Sequence, residues 1–298
     1  MLEIIGVYRG QLYMHVQSDT PSAPVGVPNA DGGPLELQAV ARSDMGRKRR
    51  NNEDNFVVFD LSRGLAHSDG KNVRVDIEPP GFLLAVADGM GGHQSGEVAS
   101  RMAVETLSQE LRRALSERQR DLSETRLALS ESVERTNKAI YDLAEQKPEY
   151  HGMGTTLTAA LVTGRNVLVA QIGDSRAYLC RGDSLTQLTK DQTVKNSVLE
   201  LQPDAVINDN LGSMLAQALG TEPEVKVAIT DAELQQGDVL LLCSDGLTKT
   251  VPNDEVAKIA GHGGTLRAKA DLLIALANQA GGPDNVTVVL SGVRKKEN

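Results

Sequence analysis

Acidic side chains at the ends of apolar runs are the feature of this sequence that most restricts how the chain can fold. The runs at 82–87, 167–172 and 239–243 each predict a buried strand, and an aspartate follows each run within two residues. A carboxylate at the point where a strand leaves the core must be paired or must bind a metal ion, because an unpartnered buried charge is very costly. Several such carboxylates at one rim would repel one another strongly, so the pattern predicts a cation site. The candidates are Glu53, Asp54, Asp88, Asp174, Asp245 and Asp284.

The surroundings of these carboxylates predict a hard metal ion. No Cys or His stands in these motifs at the spacing of zinc ligands, so the ligands are oxygen atoms. Mg²⁺ and Mn²⁺ favour such ligands. Glycines beside Asp88 let the backbone turn so that the Gly89 carbonyl can face a metal ion; the alternative is a plain glycine turn with Asp88 as its cap.

Six motifs occur in order between roughly residues 38 and 292. They are R-x-x-N-E-D at 49–54, V-A-D-G-M-G-G at 86–92, G-T-T at 154–156, I-G-D-S-R at 172–176, S-D-G-L at 244–247 and D-N-V-T at 284–287. Together they resemble the metal-dependent serine/threonine protein phosphatases of type 2C, the PPM family, in their bacterial form. The resemblance implies an α+β fold in which two antiparallel β-sheets pack as a central sandwich flanked by helical layers.

The resemblance also implies ligands for two core ions, Mn²⁺ or Mg²⁺. Glu53, Asp88 and the Gly89 carbonyl would hold one ion, while Asp88, Asp245 and Asp284 would hold the other. A hydroxide that bridges the ions would attack phosphoserine or phosphothreonine in proteins, without a phosphoenzyme intermediate.

Three further residues take roles from the family pattern. Arg49 stands at the position of the phosphate-binding arginine, since a guanidinium matches two phosphate oxygens; the alternative is a solvated surface arginine. Asp174 would share a third, weaker ion with Asp245, or would be a turn carboxylate that bonds backbone N–H groups or pairs with Arg176. Asp54 would accept hydrogen bonds from metal-bound waters.

The proton donor for the leaving group is open. Met90 stands where eukaryotic relatives have a histidine, so His93 or a metal-bound water would have to serve, and His93 is otherwise a surface residue. Asn285 is predicted either to orient its neighbours by hydrogen bonds or to form a turn. Thr155 and Thr156 are predicted to pack near the site.

Charge and composition exclude several classes of function. The formal net charge is −9, with no Trp and three Phe, which argues against nucleic-acid binding and acidic membranes; the basic run at 47–50 is either an anion-binding patch or a solvated loop. The N-terminus lacks the features of a secretory signal, and no apolar run approaches the length of a membrane span, so we expect a cytoplasmic protein. Cys180 and Cys243 are expected to be buried free thiols rather than a disulfide.

The organisation of the chain follows from turns and periodicity. Residues 1–36 are expected to form an N-terminal extension, with a hairpin around Arg9–Gly10 and a Pro-, Gly- and Ser-rich linker, before one catalytic domain at 37–298. Runs separated by short turns predict antiparallel hairpins at 155–172 and 177–188. Helical spacing predicts helices at 98–115, 129–143 and 266–280. The segment 192–216 lacks clear periodicity and takes the place of the family's flap beside the active site.

Two other functions compete with protein dephosphorylation. The same centre would also hydrolyse a small phosphorylated metabolite, because the site alone does not name the leaving group. The third hypothesis is a non-catalytic module that binds a kinase or phosphopeptide. Such a module should have lost at least one of the main metal-binding carboxylates, whereas Glu53, Asp88, Asp245 and Asp284 are all present. For the leading function we expect phosphoprotein substrates, a cognate serine/threonine kinase and a monomer.

Overall fold

The computed structural model describes residues 3–8, 11–15, 35–67, 73–77, 79–91, 95–116 and 120–296. The chain divides into two units, Met1–Gly33 and Pro34–Asn298. In the first unit, strands β1 (Glu3–Tyr8) and β2 (Gln11–His15) pair antiparallel as a separate two-stranded sheet, as the sequence indicated.

The second unit contains two larger sheets, and every strand pair within them is antiparallel. The first sheet has the order β13-β10-β9-β7-β4-β5, with β8 also paired to β7. The second has the order β12-β11-β14-β15-β3-β6. The strands are β3 Leu35–Asp44, β4 Asp54–Asp60, β5 Leu65–His67, β6 Val73–Asp76, β7 Phe82–Met90, β8 Gly154–Thr155, β9 Leu157–Thr163, β10 Asn166–Ile172, β11 Arg176–Arg181, β12 Ser184–Gln187, β13 Ala228–Glu233, β14 Val239–Cys243 and β15 Val286–Lys295.

Helices cover the outer face of each sheet. The first sheet packs on two long helices, and the second packs on the C-terminal helices. The helices are α1 Ser95–Leu115, α2 Leu122–Gln146, α3 Val194–Leu201, α4 Asp209–Gly212, α5 Asp245–Thr248, α6 Asn253–Gly261 and α7 Leu266–Gln279. The predicted α+β sandwich of two antiparallel sheets with helical layers is confirmed.

Strand β7 shows why the predicted strands are continuous apolar runs. Leu83 and Ala85 pack in the core beneath α1 and α2, while the alternate residues Leu84 and Val86 pack in the core between the two sheets. All four side chains are fully buried. A strand buried on both faces has no polar side, so removal of one such leucine side chain costs about 2–5 kcal/mol.

Both predicted hairpins are present, as β9 with β10 and β11 with β12. The three predicted helices are also present, as α1, α2 and α7. Helix α2 begins with a capping box in which Asp121 accepts from the Glu124 N–H and Glu124 accepts from the Asp121 N–H. Cys180 and Cys243 are buried free thiols, as predicted.

The segment 192–216 contains the short helices α3 and α4, so its interpretation as irregular was incomplete. Helix α3 has eight residues and is capped by Thr193, and α4 has four. Fewer than three turns are too short for an apolar period to stand out. Helices α5 and α6 were missed for the same reason. Across the described residues, no helix is both long and apolar enough to cross a membrane.

Candidate active site

Asp54 and Asp88 form a cross-strand pair at one end of the first sheet. Asp54 begins β4 and lies directly opposite Asp88 of β7. Because side chains alternate along a strand, these carboxylates share the face of Val58 and Val86, which packs against the second sheet. Like charges in directly opposite positions repel one another, so this end of the sandwich needs a proton or a cation.

The Asp54 side chain is buried between the sheets, with 5% of its residue surface exposed. Ser244, which follows β14 of the second sheet, donates to Asp54 Oδ2 at 2.7 Å. Asp54 Oδ1 has no hydrogen-bond partner in the part of the chain that the structure describes. Burial raises the pKa of Asp54 to about 7, opposed by the Ser244 hydrogen bond and reinforced by the charges of Asp245 and Asp284.

Two threonines fix the backbone of Asp88. The Asp88 N–H donates to Thr156 Oγ1 at 3.0 Å, and the Asp88 carbonyl accepts from the Thr156 N–H and from Thr155 Oγ1, each at 2.9 Å. Thr156 Oγ1 in turn lies 2.7 Å from Ser175 Oγ. The G-T-T motif therefore holds the candidate bridging residue in place, a more specific role than the packing that the sequence predicted.

Electrostatics show that the candidate carboxylates face a common region. Burial raises the pKa of the half-buried Asp88 well above its ordinary value. Neighbouring negative charges raise it further, which requires them to lie near its carboxylate. These neighbours are Asp54, Asp245, Asp284 and Asp174.

Glu53 is held against the beginning of α1. Its N–H donates to Asn285 Oδ1 at 2.8 Å, and its carbonyl accepts from the Gly89 N–H at 3.1 Å and from Ser100 Oγ at 2.6 Å. A Cβ atom on Gly96 would lie 2.9 Å from Glu53 Oε2, so the carboxylate packs directly on the first turn of the helix. Unpaired N–H groups at a helix N-terminus favour a negative charge there.

Asn285 orients three segments of the site. Its N–H donates to Asp284 Oδ1 at 2.9 Å, and its Nδ2 donates to the carbonyls of Met45 at 2.9 Å and Asn51 at 2.8 Å. Together with its acceptance from Glu53, these bonds tie the 284–285 loop to the segment before β4. Of the two roles predicted for Asn285, the structure shows the orienting one.

Arg49 forms a fork with Asp284. Its Nε lies 2.9 Å from Oδ1 and its Nη2 donates to Oδ2 at 2.9 Å. The Arg49 side chain is 52% exposed, whereas that of Asp284 is 20% exposed. Burial raises the pKa of Glu53, and the nearby Arg49 opposes that rise. Arg49 thus lies within the carboxylate cluster and pairs with one of its members.

Asp245 begins α5 and contacts Lys249 at the end of that helix. The Lys249 ammonium pairs with Asp245 Oδ2, while Oδ1 is buried and has no partner among the described residues. The next residue, Gly246, allows close packing, because a Cβ there would lie 2.0 Å from the Asn285 carbonyl oxygen. The glycine therefore brings Asp245 against the 284–285 loop.

Asp174 follows β10 and is half-buried. Burial raises its pKa to about 6, and Asp245 contributes to the rise. Arg176 does not pair with Asp174, as one alternative proposed; its Nη2 and Nε instead donate to the two oxygens of Asp191 at 2.6 and 2.8 Å. Asp191 stands just before α3, so this ion pair anchors the start of the 192–216 segment.

A cleft of about 420 Å³ opens between Asp174, Asp245 and the segment that carries α3 and α4. Lys195 and Ser213 line its far wall, and Lys249 lines the wall of α5. Asp174 and Asp245 are therefore reachable from solvent through a polar cleft.

The donor set fits a divalent metal ion, with one qualification from the geometry. Among the described residues, no three Asp, Glu, His or Cys side chains form a ready-made metal site. The carboxylates are drawn instead to basic partners, Arg49 on Asp284 and Lys249 on Asp245. Two buried oxygens, on Asp54 and Asp245, nevertheless lack partners in the part of the chain that the structure describes, and every candidate ligand atom is an oxygen. Oxygen donors of this kind suit Mg²⁺ or Mn²⁺.

The candidate proton donors give no further assignment. Met90 lies beside Gly154, since a Cβ there would approach Met90 Cε to 2.9 Å. His93 lies outside the described residues.

Comparisons with known proteins all point to one family. Residues 61–276 match the family described as Protein phosphatase 2C. The serine/threonine phosphatase stp of Listeria innocua is 39% identical over 257 residues, which cover 85% of this chain and 95% of that protein. The serine/threonine protein phosphatase PstP of Mycobacterium tuberculosis is 38% identical over 262 residues, covering 87% of this chain and 45% of PstP. The crystal structure of the PstP catalytic domain with two manganese ions superposes with a TM-score of 0.69 at 37% identity, covering 87% of this chain and 99% of that one.

Proposed function

Because the chain belongs to the protein phosphatase 2C family and is a serine/threonine protein phosphatase, we propose that it hydrolyses phosphoserine and phosphothreonine at the carboxylate cluster between its two sheets. The observation that carries the proposal is that four carboxylates meet at one end of the sandwich. Asp54 lies opposite Asp88 and accepts from Ser244, the residue before Asp245, and the next residue, Gly246, packs on the loop of Asp284. Asp245 also lines the open polar cleft. Because similar proteins are named serine/threonine phosphatases, a protein substrate is favoured over a small metabolite.

The family is metal-dependent, and this chain offers ligands for two core ions, Mn²⁺ or Mg²⁺. Glu53, Asp88 and the Gly89 carbonyl would hold one ion, and Asp88, Asp245 and Asp284 the other. Asp174 and Asp245 would hold a third, weaker ion. The unpartnered oxygen of Asp245 supports this assignment. When bound, the ions would neutralise phosphate charge and activate a water.

Arg49 would bind the phosphate group. Its guanidinium already holds two oxygens of Asp284 at 2.9 Å each, the same fork geometry that two phosphate oxygens require. Since the side chain is half exposed, it can turn toward a substrate. Asp54 would accept hydrogen bonds from waters at the site, because its Oδ1 is free of protein donors among the described residues.

Residues 37–298 would form the catalytic domain, with 192–216 as a flap and 1–36 as an extension. The Arg176–Asp191 pair supports the flap assignment, because it fixes the start of that segment beside Asp174. A serine/threonine kinase would supply the phosphorylated substrates, and the enzyme would act as a cytoplasmic monomer.

The test is release of phosphate from a phosphothreonine peptide and from a panel of phosphorylated metabolites. Protein stripped of metal should be inactive, and Mn²⁺ or Mg²⁺ should restore activity on the peptide. Reagents that attack cysteine nucleophiles should have no effect, because Cys180 and Cys243 are buried. Full activity after verified metal removal would refute the metal-dependent mechanism, and a preference for a metabolite would refute the protein substrate.

A further inference from the structure

Lys249 is a basic side chain built into the candidate metal site. Its ammonium contacts Oδ2 of Asp245, four residues earlier, and both residues line the cleft that also contains Asp174. The Lys249 side chain is 50% exposed, whereas that of Asp245 is only 13% exposed. One oxygen of Asp245 is thus neutralised by the chain itself, while the other has no partner among the described residues.

Lys249 also acts on Asp174. Its positive charge opposes the rise that burial and Asp245 cause in the pKa of Asp174. In the reverse direction, burial lowers the pKa of Lys249, but Asp245 and Asp174 outweigh burial and raise it. The ammonium that contacts Asp245 thus lines the same cleft as Asp174, the other carboxylate proposed to hold the third ion.

An ordinary surface ion pair on the neighbouring helix provides a comparison. Lys258 and Asp254 have the same four-residue spacing on α6, but the Asp254 side chain is 73% exposed. When Lys258 moves away, water solvates Asp254. The largely buried Asp245 cannot be solvated to the same degree, so it requires another cation when Lys249 leaves.

We propose that Lys249 competes with the third divalent ion for Asp174 and Asp245 and so sets the affinity of that site. The inference rests on the proposed function, in which these two carboxylates share an ion. The flexible stem of lysine lets the ammonium swing into the cleft, and an ion pair with one half-exposed partner is weak enough to be displaced. Lys249 would thus offset one of the two negative charges while no ion is bound, and would yield to a divalent ion as the concentration of that ion rises.

The experiment is calorimetric titration of the full chain with Mn²⁺, without substrate. Asp174→Asn identifies the binding event that belongs to the third ion, because that event should disappear. Lys249→Met should tighten this event by roughly fivefold, the size of a partly exposed ion pair. Lys249→Arg keeps the competing charge and should bind like the wild type, as should the matched control Lys258→Met.

Thermal unfolding supplies a second readout of opposite sign. Metal-free Lys249→Met should unfold at a lower temperature than metal-free wild type, because the charge of Asp245 is left unpaired, and saturating Mn²⁺ should abolish this difference. Metal-free Lys258→Met should unfold like the wild type.

The outcomes separate the two proposals. Unchanged or weaker binding of the third ion in Lys249→Met would overturn the competition, as would equal tightening in Lys249→Arg. A protein that binds two ions and never a third would overturn the competition while leaving the two-ion phosphatase intact. A wild-type protein that binds no divalent ion would refute the proposed metal site itself.

Discussion

Ser244 donates a hydrogen bond to Asp54 across the two sheets at 2.7 Å, and the other oxygen of that carboxylate has no partner among the described residues. A buried acid with one satisfied oxygen, opposite Asp88 on the next strand, is stable only when it is protonated or when a cation is bound. When metal is absent, ionisation of Asp54 therefore destabilises the folded protein.

The destabilising ionisation of Asp54 predicts how the stability of the metal-free protein depends on pH. The pKa of Asp54 is raised to about 7, so the folded protein holds a proton at pH values where the unfolded chain has released it. The native state then binds more protons between about pH 4 and about pH 7, and the free energy of unfolding falls as the pH rises through this window. Asp54 alone contributes at most about 4 kcal/mol, and denaturant unfolding at several pH values measures the loss.

Asp60 at the other end of β4 is the matched control for this prediction. Burial opposes ionisation of Asp60, but hydrogen bonds from Ser62 and Arg63 outweigh it and lower its pKa. Its stabilising effect is therefore present above its unfolded pKa and is lost as the pH falls. At pH 7 without metal, Asp54→Asn should stabilise the protein and Asp60→Asn should destabilise it. If Asp54→Asn is less stable than the wild type under these conditions, the ionised Asp54 does not destabilise the folded protein.

The sequence predicts strand ends well because the signal there is local. Apolar runs followed by Asp88 and Asp245 are recognised from adjacent residues alone. The face that Asp54 shares with Asp88 depends instead on the register of β4 with β7, which the structure supplies. Short helices such as α3 cannot be recognised from the sequence, because eight residues contain too few turns for a helical period of apolar residues to appear.

Contacts between distant segments are what the sequence did not supply. Ser244 and Asp54 are separated by 190 residues, and Arg49 and Asp284 by 235. Each bond depends on how the sheets stack, which no local pattern encodes. The partner of Arg176 shows the same limit, because the aspartate two residues before it in sequence is not the one that it binds; Asp191, fifteen residues on, is.

Arg49→Ala should raise the KM for a phosphothreonine peptide. Loss of a bidentate, charge-assisted contact to phosphate weakens substrate binding by roughly ten- to a hundredfold, while the carboxylates remain to bind metal. The neighbouring Arg50 is exposed, and Arg50→Ala should change KM little. Steady-state kinetics at saturating Mn²⁺ distinguish the two variants. An exchange of these effects would shift the phosphate-binding position by one residue.

Asp174→Ala and Asp88→Asn should differ in the ions they lose. Asp174→Ala leaves Glu53, Asp88 and Asp284 in place, so the tight ions should stay bound while turnover on a phosphoprotein slows roughly tenfold or more. Asp88→Asn removes the charge proposed to lie between the two core ions, and at least one of them should be lost. Calorimetric titration with Mn²⁺ gives the stoichiometry. Loss of tight binding in Asp174→Ala, or unchanged turnover at every metal concentration, would mean that Asp174 holds no third ion.

Gly246→Ala tests whether close packing of α5 builds the site. Alanine is the better helix former by up to about 1 kcal/mol, so propensity alone predicts a more stable protein. The new Cβ would lie 2.0 Å from the Asn285 carbonyl oxygen, however, and that backbone must move. Overpacking of this kind costs about 1–3 kcal/mol, which outweighs the propensity gain. The shift displaces the loop that carries Asp284, so Mn²⁺ binding should weaken together with stability.

Gly263→Ala is the control, because its Cβ would meet nothing within 4 Å. Denaturant unfolding and Mn²⁺ titration of both variants measure the two effects, and a Gly246→Ala protein as stable as the wild type would show that the 284–285 loop yields without cost.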